Sequence, residues 1–171
     1  MSLSTKSTYH IQEASVKDIP TIQQLAEQIW RPTYKSILTP EQVEYMMNMM
    51  YSTESLTSQL TKQKHHYLIL YNIDAPIGYA SYAYLEAPGI YKLHKIYLHQ
   101  DYQGKGIGKL LISTVIDKVT AAQGTILELD VNRDNKAKLF YEKQGFSVYK
   151  EKDTNIGNGY WMNDYVMRKP L

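Results

Sequence analysis

The chain has 171 residues, 43% of them hydrophobic, and a net charge of +2, a length and balance that fit one folded domain (1–171) and argue against disorder or a nucleic-acid-binding field. It contains no Cys, which removes disulfides, thiolate metal sites and a cysteine nucleophile together. The stretch MSLSTKSTYH is polar and no run approaches the ~20 apolar residues of a membrane span, so a cytoplasmic protein with no nucleic-acid or membrane partner is expected.

In chain order, Tyr9 to Ala14 alternates as a short strand. Asp18 is the expected N-cap of a helix whose apolar positions Ile19, Ile22, Leu25, Ile29 and Trp30 follow helical spacing, with Pro20 in its first turn and Pro32 closing it. Thr39, Pro40 and Gln42 signal a second helix start, opening EQVEYMMNMMY. Met46, Met47, Met49 and Met50 read either as core filling or as an adaptable wall for an acceptor or a partner copy in a homodimer. Ser52 caps a further helix through Leu60.

The pattern then changes to strands: Tyr67 to Tyr71, Ile77 to Leu85, and Tyr91 to Leu98, separated by turns at Asn72 to Asp74 and Glu86 to Gly89. Gln103, Gly104, Lys105, Gly106, Ile107 and Gly108 follow, just where a helix with Ile107, Leu110, Leu111, Val115 and Val119 on one face begins. Gly124 is the expected end of that helix. ILELDVN, residues 126–132, is a strand carrying Glu128 and Asp130 on one face, which requires either a solvent-filled cleft or basic partners. A helix over roughly 136–144 ends at Gly145, and 146–152 with 159–168 reads as a closing hairpin. Strands interrupted by helices, with antiparallel runs on either side, give a mixed α/β sheet.

Three alternating glycines are a poor choice for helix stability, since each costs ~1 kcal/mol against Ala. They suit a phosphate cradle. A helix N-terminus leaves four N–H groups without intrahelical partners and carries about half a positive charge, and glycine lets an anion approach without meeting a Cβ. A Walker-type loop lacks its hydroxyl here, because Gly108 and Lys109 are followed by Leu110. A dinucleotide fingerprint is interrupted by the polar turn, although Glu128 lies ~20 residues on, where that fold keeps its ribose acid.

The third reading is a resemblance. Gln103 to Gly108 is similar to the coenzyme A pyrophosphate loop of the GCN5-related N-acetyltransferases (GNAT), Gln or Arg, x, x, Gly, x, Gly or Ala. VNRDNKAKLFYEKQGF, residues 131–146, resembles the second half of that family's core. IWRPTYKSILTPEQVEYMMNMMYSTESL and IGNGYWMNDYVMRKPL resemble more narrowly its PaiA-like branch of polyamine acetyltransferases.

The resemblance implies an α+β GNAT fold: a mostly antiparallel sheet of about seven strands, flanked by helices, whose two central strands splay around acetyl-CoA. It implies direct transfer of acetyl from acetyl-CoA, without a metal, to a small-molecule primary amine such as spermidine. Acetylation of a protein N-terminus or lysine, and a non-catalytic coenzyme A-binding module, are the alternatives. Tyr141 takes the position of the family's proton donor to the leaving thiolate. Asp130, with Glu128 as alternate, stands where some members keep a carboxylate base; an amine of pKa ~10 must lose a proton, at ~4 kcal/mol near neutral pH. A backbone N–H of Tyr97 or Leu98 is expected at the oxyanion. Contacts to coenzyme A are implied for Ile96, Tyr97 and Leu98, for Gln103, Gly104, Lys105, Gly106, Ile107, Gly108 and Lys109, and for Asn132, Asn135 and Lys138. His94 and His99 flank the cleft strand without an assigned role.

Overall fold

The computed structural model describes residues 8–171; residues 1–7 of the polar N-terminal stretch lie outside the described residues. The strands are β1 (Tyr9–Glu13), β2 (His66–Asn72), β3 (Ala75–Ala87), β4 (Ile90–Leu98), β5 (Ile126–Asn132), β6 (Ser147–Gly157) and β7 (Tyr160–Pro170). They form one sheet in the order β1-β2-β3-β4-β5-β7-β6. Every pairing is antiparallel except β4 with β5. Among the described residues no helix is long and apolar enough to cross a membrane.

The helices are α1 (Ile19–Leu25), α2 (Arg31–Tyr34), α3 (Pro40–Tyr51), α4 (Thr53–Thr61), α5 (Ile107–Ala121) and α6 (Ala137–Lys143). Strand alternation sends apolar side chains to both faces of the sheet, so there are two cores. One joins Leu68, Leu70, Leu93 and Leu129 to Leu111, Ile112, Val115 and Val119 of α5. The other joins Tyr67, Ile69 and Tyr79 to Ile22, Leu25 and Trp30 and to Val43, Met46 and Met47 of α3. Met46 and Met47 are therefore core residues, while Met49 is exposed.

The helix starts at Thr39 and Ser52 follow the expected caps: Thr39 Oγ1 accepts the Gln42 N–H at 3.2 Å, and Ser52 Oγ accepts the Ser55 N–H at 3.1 Å. Asp18 is the N-cap of α1 as expected, although its carboxylate caps no N–H of that helix and instead accepts the Ser15 N–H at 2.8 Å, closing the short turn before it. Two other expected boundaries differ. Pro32 does not end the first helical run, which continues to Tyr34. One wide turn over Ala26–Trp30, with the Arg31 N–H on the Ala26 carbonyl, shifts the register ahead of the ring that lacks an N–H. Gly124 is not the left-handed residue after α5. Gln123 is, at φ +69°, and Gly124 is required because a Cβ there would stand 2.4 Å from Val119 Cγ1 and 2.9 Å from its carbonyl.

Two irregularities open the sheet. β4 and β5 pair only from Ile90 opposite Ile126 to Leu93 opposite Leu129, and both strands then run on unpaired with each other. Across β4, the register against β3 steps from Ser81 opposite Lys95 to Tyr82 opposite Leu93. His94 is the extra residue of that bulge, which bends β4 away where the pairing stops.

Candidate active site

The splay opens a cleft of about 930 Å³ lined by both diverging strands, the glycine turn and α6. One wall is backbone. The His99 N–H bonds the Ile77 carbonyl at 2.8 Å, so by strand alternation His99 and Tyr97 direct their main-chain groups to β3, and Leu98 and Ile96 direct theirs into the gap. Of the two expected oxyanion donors, the Leu98 N–H is thus the one that faces the cleft. Gln103 Nε2 donates to the Leu98 carbonyl at 2.9 Å, which ties the glycine turn to the end of β4.

The cradle has the geometry its backbone was expected to need. Gly104 and Gly106 both have φ +77°, and a Cβ on either meets nothing within 4 Å. Gly106 is the N-cap of α5 and no side chain caps the helix, so its first N–H groups stay open. Gly106, Gly108 and Lys109 line the cleft. Ile107 does not line the cleft; its side chain is buried in the core. The Lys105 ammonium lies over the Tyr102 ring, 5.9 Å from its centre.

Tyr141 forms the opposite wall. α6 ends with the Gly145 N–H on the Glu142 carbonyl and the Phe146 N–H on the Tyr141 carbonyl, both 3.1 Å, with Gly145 at φ +93°. That turn folds Phe146 back on the Tyr141 ring at 6.0 Å, while Phe140 flanks it at 5.6 Å. Burial, reinforced by Tyr34, raises the phenol well above its ordinary range, so it keeps its proton at neutral pH.

Both acids of β5 have basic partners. Glu128 Oε1 accepts from Arg168 at 2.8 Å. Asp130 Oδ2 accepts from Lys92 at 2.9 Å and from Lys152 at 3.0 Å, whereas Oδ1 is buried without a hydrogen-bond partner. Burial pushes the Asp130 carboxyl up, but the two lysines outweigh it and hold it below the usual range. Asp130 lines the cleft. Asp164, paired through β7 with Asn132, behaves in the opposite sense: burial and the neighbouring Asp130 push it up to about 6.

The remaining candidates divide. Asn135 lines the cleft; its Oδ1 accepts the Ala137 N–H at 2.9 Å and its Nδ2 donates to the Tyr34 hydroxyl at 3.5 Å. Asn132 is buried and turned to the loop, accepting the Asp134 N–H at 2.9 Å. Lys138 pairs with Glu142 and covers Tyr165. Neither Asn132 nor Lys138 lines the cleft: Lys138 is held by Glu142 and Tyr165, and an Asx turn occupies Asn132. His94 lines the cleft stacked on His65, ring centres 4.2 Å apart, and burial holds it down to about 3. His99 accepts the Asp101 N–H at 3.3 Å.

Sequence reasoning missed Tyr34, Thr33 and Lys95, which also line the cleft. Tyr34 arrives there because the helix does not stop at Pro32. Lys95 had a legible signal: in YKLHKIYL it breaks the alternation set by Lys92 and His94, as a bulge does.

Residues 34–169 match the acetyltransferase (GNAT) domain. The chain belongs to the GNAT acetyltransferase family. It is 30% identical to a spermidine N(1)-acetyltransferase of Thermoplasma acidophilum over 165 residues, 93% of this chain and 95% of that one. It is 33% identical to the N-alpha-acetyltransferase RimI of Mycobacterium tuberculosis over 91 residues, 52% of this chain and 56% of that one. The crystal structure of the PaiA N-acetyltransferase from Thermoplasma acidophilum in complex with coenzyme A superposes with a TM-score of 0.79 at 25% identity, covering 95% of this chain and 99% of that one. The splayed, mostly antiparallel mixed sheet expected from the sequence is thus the observed architecture, and this GNAT chain is an acetyl-CoA-dependent N-acetyltransferase.

Proposed function

We propose that this GNAT enzyme acetylates a polyamine such as spermidine by direct transfer from acetyl-CoA. The observation that carries the acceptor class is the match along nearly the whole chain to the Thermoplasma spermidine N(1)-acetyltransferase. In this reading the open N–H groups of α5 hold the pyrophosphate, and the gap-facing edge of Ile96 and Leu98 holds the pantetheine arm. The Leu98 N–H stabilises the oxyanion as the amine nitrogen attacks the thioester carbon. The C–S bond then breaks and Tyr141, kept protonated by its burial, protonates the leaving thiolate.

Asp130 enters this reading as a seat for the amine. The residue lines the cleft and its Oδ1 is a buried acceptor without a hydrogen-bond partner. As a base it is badly matched. A carboxyl that two lysines hold below the usual carboxylate range takes a proton from an amine of pKa ~10 only strongly uphill, farther than the ~4 kcal/mol needed to reach the free amine in neutral water. Its two lysine partners make that carboxylate an anchor.

A second reading, acetylation of a protein N-terminus, draws on the partial match to RimI. Thiol release from acetyl-CoA, measured with spermidine, spermine, diamines, aminoglycosides and short peptides, separates the two. Release with spermidine well above the acceptor-free background is expected. Release only with peptides refutes the polyamine assignment.

A further inference from the structure

Beneath the cleft lies a lysine that none of these steps uses. The bulge at His94 turns two consecutive side chains, His94 and Lys95, toward the α1–α4 side of the sheet. Lys95 is only 8% exposed. Its Nζ donates to Tyr67 Oη at 2.7 Å and to Gln59 Oε1 at 2.8 Å, and the Tyr67 hydroxyl itself donates to Gln59 Oε1 at 2.5 Å. Among the described residues no carboxylate stands within ion-pair distance of it. The seat therefore supplies acceptors for two N–H groups and no counter-charge. An amine has two N–H groups and a lone pair; an ammonium has three N–H groups and a charge to neutralise.

This seat adjoins a cluster of buried tyrosines that reaches the cleft. Nζ is 5.3 Å from the centres of the Tyr51 and Tyr67 rings. The Tyr51 and Tyr79 hydroxyls are 2.6 Å apart, the Tyr79 and Tyr97 ring centres 5.5 Å, and the Tyr97 and Tyr34 hydroxyls 3.4 Å. Tyr97, Tyr34 and Lys95 line the cleft. Burial raises Tyr34, Tyr51, Tyr79 and Tyr97, so these phenols stay protonated beside the seat.

We propose that Lys95, on the lining of the cleft, is the acceptor for the proton the amine must lose: its amine form takes up that proton before acetyl transfer. The proposal rests on the cleft being the acetyl-transfer site. The acceptor ammonium loses one proton to Lys95, which becomes an ammonium. The freed amine attacks the thioester carbon as its carbonyl becomes the oxyanion, and collapse breaks the C–S bond. The second amine proton compensates the one Tyr141 gives to the thiolate, and the proton on Lys95 returns to water with product release. Burial lowers Lys95 to about 7, so it titrates in the range where the enzyme is assayed. The other groups around it do not compete there. His65 and His94 are held down to about 4 and 3, Tyr67 is raised by burial, and Lys92 is paired with Asp130. Asp164, pushed to about 6, is separated by the Asp164→Asn variant.

The test is the pH profile of kcat/KM for thiol release with the most active amine, alongside coenzyme A affinity by calorimetry. The wild-type profile should carry an inflection near 7. Lys95→Met should lose at least tenfold at pH 7, recover as the pH approaches the acceptor's own pKa, and bind coenzyme A unchanged. Lys95→Arg should not restore the profile. An unchanged profile in Lys95→Met, or a loss equal at every pH, overturns the proposal. NMR titration of the lysine ε-carbon needs no turnover and so separates failure here from failure of the functional reading. If Lys95 titrates near its ordinary 10.5, the proposal falls whatever the acceptor.

Discussion

Gly106→Ala isolates what the cradle does. At φ +77° and ψ 5° the new side chain sits in the left-handed region, at a cost of roughly 1–2 kcal/mol, but its Cβ meets no protein atom within 4 Å. For a chain of this length that strain lowers Tm by about 2 to 8 °C. The same Cβ is added at the N-cap of α5, beside the open N–H groups proposed to hold the pyrophosphate. Losing one hydrogen bond to a charged oxygen, about 1.5–3 kcal/mol, predicts a 10- to 150-fold weaker affinity for coenzyme A, roughly. Thermal unfolding and isothermal titration with coenzyme A read the two effects separately. Gly124→Ala is the control, because its Cβ would collide with Val119 far from the cradle, costing about 1–3 kcal/mol of stability with affinity intact. If Gly106→Ala binds coenzyme A like the wild type, or loses affinity only in proportion to its loss of fold as Gly124→Ala would, the cradle reasoning is wrong.

Tyr141→Phe keeps the ring between Phe140 and Phe146 and removes only the hydroxyl, so kcat should fall about 100-fold while coenzyme A binds normally; a change within twofold in stopped-flow thiol release removes Tyr141 from the chemistry. Asp130→Asn leaves Lys92 and Lys152 facing a neutral amide, and denaturant unfolding should register a loss of about 1–3 kcal/mol, discounted for the partly exposed Lys152, with KM for the amine raised more than kcat is lowered. Asp164 has a folded pKa raised above its unfolded value, so its contribution is fully present below about pH 4 and is lost as pH rises through about 6. Asp164→Asn should therefore stabilise the protein at pH 7.5, on the order of 2–3 kcal/mol, and the gain should vanish by pH 4; a pH-independent difference in melting contradicts that sign.

The cradle was legible because its requirement is local: alternating glycines at a helix start have a backbone reason wherever they occur, and Gly104 and Gly106 adopt the conformation that reason demands. The acids of β5 were legible only as a problem. Their solution comes from Lys92 on β4, Lys152 on β6 and Arg168 on β7, brought alongside by sheet order, which no local pattern encodes. The continuation of the first helical run past Pro32 depends on one wide turn packed against the sheet, so a rule about proline alone ends the helix too early. Gly124 misled for a different reason. Its lack of a side chain serves the close approach of Val119, and the left-handed conformation falls to Gln123.

Four departures from regular structure have a common location. The wide turn delivers Tyr34, the bulge delivers His94 and Lys95, the end of β4–β5 pairing frees the edge of Ile96 and Leu98, and the left-handed glycines open α5; all border the same cleft. Each forfeits local hydrogen bonding or backbone freedom, and each is held by packing from the two cores on either side of the sheet. A substitution that restores regularity at one of these places should therefore stabilise the chain or leave it unchanged while impairing transfer. Substitutions in the β1–β2 ladder, which pairs without a register shift, have no such trade to make. That asymmetry separates positions retained for the cleft from positions retained for the fold, and it follows from the sheet register without reference to any relative.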